Sequence, residues 1–171
     1  MTFTGKNLIL MRHADSLQAT DSNDLERTLS LKGIQQATEA TKFLCSYRID
    51  KILVSPATRT RQTMEAVLKE MVIDQIEIRE EIYKENKQNI FATIVGQPDE
   101  IKSLMIIGHN PEICALIFDI IDNNDSNYEK LMKVLMPPAS IIVINIPDAS
   151  NWSDLSYQCS GKVINIFLAH E

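Results

Sequence analysis

Residues 8–11, Leu-Ile-Leu-Met, run straight into Arg12 and His13. A short unbroken apolar run fits a strand covered on both faces, the kind that parallel sheets contain. A guanidinium and an imidazole at the tip of such a strand are costly unless something there pairs with them. The pattern recurs twice. "KILVSP" (51–56) is a second apolar run, stopped by Pro56 and followed by Arg59, and "SLMIIGHNP" (103–111) is a third, ending in His109.

Between these runs the apolar spacing becomes helical. Ser30 is a candidate N-cap ahead of Ile34, Ala37, Ala40 and Leu44. Met64, Val67, Leu68 and Met71 recur at i, i+3, i+4 and i+7. Ile90, Phe91, Ile94 and Val95 mark a weaker helix, and Ile113, Leu116, Ile117, Ile120 and Ile121 give the clearest stripe in the chain. "QIEIRE" alternates at period two, while 140–147 and 162–169 read as the last two strands. Asp21 to Arg27 and Asp122 to Asn127 read as polar loops. This β-α-β-α order predicts a three-layer α/β/α fold, with an open, mostly parallel sheet and helices on both faces. No linker, repeat or low-complexity tract divides the chain, so one domain is expected over 1–171.

Charge and cysteine content narrow the setting. Seventeen basic against 23 acidic side chains give a net charge of −6, unsuited to general binding of nucleic acid or an anionic membrane. The three cysteines (Cys45, Cys114, Cys159) form no CxxC pair, and core positions in a reducing cytoplasm are expected for them. The first residues lack a signal peptide's basic start and cleavage site, and no apolar stretch nears the roughly 20 residues of a membrane helix.

In open α/β sheets, ligands bind beyond the carboxyl ends of the strands, near a switch in strand order. If the three apolar runs are parallel neighbours, His13, His109, Arg12 and Arg59 meet at one edge. Two guanidiniums repel unless an anion lies between them, and their forked donors match phosphate oxygens. A neutral imidazole within reach of phosphorus can act as nucleophile and form a phosphohistidine that water hydrolyses. Phosphoryl transfer then needs mainly positioning and charge stabilisation. With no carboxylate cluster for Mg²⁺ at this edge, neither metal nor cofactor is expected.

"LMRHADS", "SPATRTRQT" and "IIGHNP" resemble, in order, the three signatures of the histidine phosphatase superfamily in its phosphoglycerate-mutase-like branch. "RTLSLKG" is similar to the segment that follows the nucleophile there. The resemblance implies that His13 is the nucleophile, Arg12 and Arg59 clamp phosphate, and His109 completes the charged pocket. Ser16 matches a position near the phosphate in some relatives. Arg61 does not align with the clamp and would project from another helix face. Only Met64 to Lys102 separates the second motif from the strand before His109, so no large cap insertion is expected. The short insertion and motif style are similar to the SixA group. That likeness implies dephosphorylation of phosphohistidine on a signalling protein, such as a histidine-containing phosphocarrier domain.

Two positions depart from the pattern. Ala14 stands where the signature has Gly, a form the small group also shows. No residue matches the usual general acid, and Glu80 and Glu81 are the candidates, ahead of Glu85. An imidazole leaving group depends less on such an acid than an alkoxide does. Alternative readings are a phosphatase of small phosphomonoesters and a non-catalytic phosphate-binding module. His170 lies outside every motif and reads as a surface residue.

Overall fold

The computed structural model describes residues 5–18, 23–83, 87–122, 124–147, 149, 151–157 and 161–169. The first apolar run becomes β1 (Lys6–Arg12), the second β2 (Lys51–Val54) and the third β4 (Ser103–Gly108). They are joined by β3 (Gln75–Ile78), β5 (Ile141–Ile146) and β6 (Lys162–Phe167) in one sheet of order β3-β2-β4-β1-β5-β6. The four strands from β3 to β1 are parallel. β5 then runs antiparallel to β1, and β6 antiparallel to β5. The sheet is therefore mostly parallel and open, as the alternation predicts.

Side chains alternate between its two faces. Leu8, Leu10, Leu104 and Ile106 pack on one side with α3 (Lys87–Val95), α4 (Glu112–Ile120) and Leu131 of α5 (Tyr128–Val134). Ile9, Met11, Met105 and Ile107 pack on the other with α1 (Leu31–Leu44) and α2 (Thr58–Leu68). All eight of these strand residues are fully buried, and each such side chain stabilises the fold by about 1.5–3 kcal/mol. The helix after β1 thus lies on one face and the helix after β4 on the other. The chain diverges between those two neighbouring strands, which is where the switch in strand order opens a crevice.

Local sequence explains the start of α1. Ser30 caps it, its Oγ accepting from the Gly33 amide at 3.0 Å. A Cβ at position 33 would stand 1.9 Å from the Asp15 carbonyl oxygen, so only glycine lets the helix approach the loop after β1 so closely.

Some local expectations need correction. Cys45 is exposed and Cys114 half-buried rather than core, because Cys45 falls just past the last turn of α1; Cys159 lies outside the described residues. Ile34 is half-exposed and Met71 lies beyond the end of α2. Helix α5 carries a single fully enclosed side chain, Leu131, and so leaves almost no apolar stripe to read.

Candidate active site

Three chain segments meet at the carboxyl edge of β1 and β4. Arg12 pairs with Gly108 in the sheet register, and the His13 amide donates to the Gly108 carbonyl at 3.0 Å. His109 leaves β4 one residue later, and Ser55 ends β2 beside it. Arg59 stands in the first turn of α2. The rings of His13 and His109 are 5.1 Å apart, and Arg59 lies between them. All three are at least nine-tenths buried.

The hydrogen bonds fix both tautomers. His13 Nδ1 is 2.8 Å from the Ala14 carbonyl, which can only accept, so Nδ1 carries the hydrogen. Its Nε2 lone pair faces the pocket and accepts from Arg59 Nε at 3.2 Å. In His109, Nδ1 lies 3.2 Å from Arg59 Nη2, a pure donor, so Nε2–H donates to Ser55 Oγ at 2.7 Å. Burial pushes the His13 imidazole down to about 4, with Arg59 and Arg12 adding to the effect against the Ala14 bond. Burial pushes His109 down to about 3, and His13 and Arg59 lower it further. Both rings are neutral at neutral pH.

Arg12 is held from the other side. Its Nη1 donates to the Met136 carbonyl at 2.9 Å, while its buried Nε has no hydrogen-bond partner among the described residues. Asn110 Nδ2 donates to the Leu135 and Met136 carbonyls at 2.9 and 3.1 Å. Leu135, Met136 and Ala139 all adopt left-handed backbone conformations, with φ of 48°, 48° and 63°. Such conformations cost non-glycine residues about 1–2 kcal/mol each, so the strap between α5 and β5 carries strain while holding Arg12.

The cavity between these groups measures about 420 Å³, and its described wall is mainly polar, with Tyr83 and Pro138 contributing apolar surface. Arg12, His13, Ser16, Arg59 and His109 all line it. Ser16 Oγ accepts from Arg27 Nη2 at 2.9 Å. Glu80 and Glu81 are exposed on a single turn (Glu80–Ile82) that Ile82 anchors in the core, and neither lines the cavity; Glu85 and His170 lie outside the described residues. Arg61 is exposed. A larger hollow of about 590 Å³ at the amino ends of β2, β3 and β4 contains neither histidine nor any of these arginines.

Among the wall residues that sequence reasoning missed, Asp24, Arg27 and Tyr83 form a connected group. Arg27 opens the "RTLSLKG" segment, which was the available signal; Asp24 and Tyr83 had none. Asp24 accepts from Arg59 Nη2 and from the Tyr83 hydroxyl through Oδ2, both at 3.0 Å, and from Arg27 Nη1 through Oδ1 at 3.0 Å. Its carbonyl also receives Arg59 Nη1 at 2.6 Å. Burial alone would raise this carboxyl, but the bonds from Arg27, Tyr83 and Arg59 outweigh it and hold the group well below the usual carboxylate range.

Residues 8–86 match the model of the histidine phosphatase superfamily, branch 1. An uncharacterized protein of Mycobacterium tuberculosis, Rv1276c, is 28% identical over 158 residues, covering 90% of this chain and 96% of that one. The SixA structure from Agrobacterium tumefaciens superimposes with a TM-score of 0.80 at 26% identity, over 97% of this chain and 99% of its own. The SixA structure from Nakamurella multipartitia gives 0.81 at 24%, over 98% of each chain. The protein histidine phosphatase SixA complexed with tungstate gives 0.73 at 19%, over 95% and 96%. The last two likenesses speak for the fold, which runs the length of the chain without a large insertion. Motifs, the match over residues 8–86 and the fold agree: the chain is similar to the histidine phosphatase superfamily, branch 1, and in fold to SixA structures.

Proposed function

We propose that the chain is a metal-independent phosphatase that works through phospho-His13 and removes phosphoryl groups from phosphohistidine on a signalling protein of the cytoplasm. One observation carries this reading. The His13 ring is locked with Nδ1–H on Ala14 and its Nε2 lone pair in the pocket, beside a guanidinium poised to take phosphoryl oxygens.

When a phosphoryl dianion enters, Arg59 turns its Nε–H and Nη2–H from the two imidazoles to the phosphoryl oxygens. The His13 lone pair is thereby released to attack phosphorus as the bond to the leaving nitrogen breaks and its electron pair stays on that nitrogen. Arg12, through its unpaired Nε, and Arg59 spread the charge of the equatorial oxygens. The dianion also raises the proton affinity of His109, whose Nδ1 then becomes a donor. Water next attacks phosphorus, the electron pair returns to His13 Nε2, and the water's proton leaves with inorganic phosphate. The mainly polar wall offers limited apolar surface for a small organic leaving group, which favours a phosphoryl group presented by another protein over a sugar phosphate or nucleotide.

The test is loss of acid-labile phosphate from a histidine-phosphorylated carrier domain. Wild type is expected to release it without added metal and His13→Ala to lose at least about 10³-fold in kcat/KM. Undiminished activity in His13→Ala overturns the mechanism. A preference for small phosphomonoesters by orders of magnitude overturns the substrate, and tight binding without turnover would make the chain a phosphate-binding module.

A further inference from the structure

The pocket wall holds a fixed anion. Asp24 sits at the outer edge of the Arg59 guanidinium, held by Arg27 and Tyr83 as well, and it lines the same cavity as His13 and His109. An alkoxide leaving from phosphorus needs a proton on the departing oxygen, and an ionised carboxylate cannot supply one. A phosphorylated imidazole is a different case. It takes its proton on the far ring nitrogen, away from the bond that breaks, and that proton is favoured by a nearby negative charge rather than by an acid.

We propose that Asp24 is the leaving-group residue of this site: its carboxylate stabilises the ring-protonated form of a bound phosphohistidine. The P–N bond then breaks with its electron pair remaining on the departing nitrogen. The ring leaves as neutral imidazole, still carrying the proton on its other nitrogen. No acid is consumed, and none has to be regenerated. This inference rests on the phosphohistidine reading above and gives a reason for it. A held carboxylate activates a phosphoramidate of this kind, while it repels the charge that develops on an ester oxygen.

The electrostatic surroundings are consistent with the role. Arg27 and Arg59 face Asp24 directly and the Tyr83 hydroxyl donates to it, while Asp15 and Glu112 face the same cavity. Once a phosphoryl dianion has taken the donors of Arg12 and Arg59, the charge of Asp24 is less compensated and acts more strongly on the leaving ring.

The experiment compares wild type, Asp24→Asn and Asp24→Glu on N-phosphoimidazole, on a histidine-phosphorylated carrier domain and on p-nitrophenyl phosphate, whose phenolate leaves without a proton. Tungstate affinity reports the clamp separately. For Asp24→Asn, kcat/KM on both phosphoimidazole substrates is expected to fall at least tenfold further than on p-nitrophenyl phosphate. That deficit should deepen as pH rises above about 6.5, where a free imidazole ring loses its proton. Asp24→Glu should keep the preference. An equal fall on all substrates together with weakened tungstate binding reduces Asp24 to a strut for Arg59 and overturns the proposal, as does a deficit independent of pH. If Asp24→Asn does not fold, retention of the preference by Asp24→Glu decides for the proposal and its loss against it. A wild type inactive on phosphohistidine defeats the substrate reading itself, which is a separate result.

Discussion

Both ends of the parallel strands bury charge, but they do so in opposite ways. At the amino end, Lys6 is fully buried, and its Nζ donates to the Asp99 and Ile101 carbonyls at 2.6 and 3.0 Å over the Trp152 ring. Lys51 pairs with Glu77 at 2.6 Å, and Asp50 accepts from the amides of Lys102 and Ser103. Those charges are answered by the fold itself. At the carboxyl end, His13 and His109 are buried as neutral rings beside arginines, Arg12 Nε has no partner among the described residues, and the strap that holds Arg12 is strained. Burial of charge therefore does not mark a site. A site is marked where the partner that would complete the charges is missing from the fold.

The largest test of that contrast sets Arg59→Ala against Lys6→Ala. Loss of Arg59 removes the group between the two imidazoles, and kcat/KM on the phosphorylated carrier should fall about 10²–10³-fold. Loss of Lys6 leaves two carbonyls without their cation and an unfilled apolar path beside Trp152. It should cost about 1–3 kcal/mol in urea unfolding while kcat/KM stays within twofold. Equal losses of activity in the two variants would erase the distinction.

Much of this was legible because strands buried on both faces must be apolar along their whole length, which made their polar tips conspicuous. Arg12, His13, Arg59 and His109 each follow such a run closely, so their convergence could be read before any coordinates. The Ser30 cap was legible for a local reason as well. Asp24 was not, since it reaches Arg59 only when the loop after β1 folds back across 35 positions of sequence. Tyr83 reaches Asp24 across 59. Glu80 and Glu81 were candidates from their place in the segment after the second helix, and both are exposed and outside the cavity wall. The antiparallel sense of β5 also leaves no local trace, because a fully buried strand has the same pattern in either direction.

Acidification sharpens the comparison next. In the unfolded chain His13 and His109 titrate near 6.5, whereas in the fold they are depressed to about 4 and about 3. Between about pH 6.5 and 4 the unfolded state therefore binds more protons, and stability is lost as pH falls. Each ring contributes a slope of up to about 1.4 kcal/mol per pH unit, with no penalty above about 6.5. Urea unfolding from pH 7 to 5 should show this loss, and replacing both histidines with Asn should flatten it. Tungstate should flatten it too, because a bound oxyanion raises both imidazoles toward their ordinary values. A wild type equally stable at pH 7 and 5 would show that the carboxyl end is not poised as described.

The smallest effect probes the strained strap. Leu135 is more than half exposed, so its side chain contributes little packing, yet its backbone is left-handed and its carbonyl receives Asn110. Asn tolerates that conformation better than other residues with a Cβ, and a β-branched residue tolerates it worst. Leu135→Asn should raise stability by about 0.5–1 kcal/mol, and Leu135→Val should lower it by at least about 1 kcal/mol. Neither changes the carbonyls that hold Arg12 and Asn110, so kcat/KM should move less than threefold in Leu135→Asn. If relief of the strain instead costs a large part of the activity, the strained backbone itself sets the position of Arg12. The carboxyl end would then differ from the amino end in its backbone as much as in its unanswered charge.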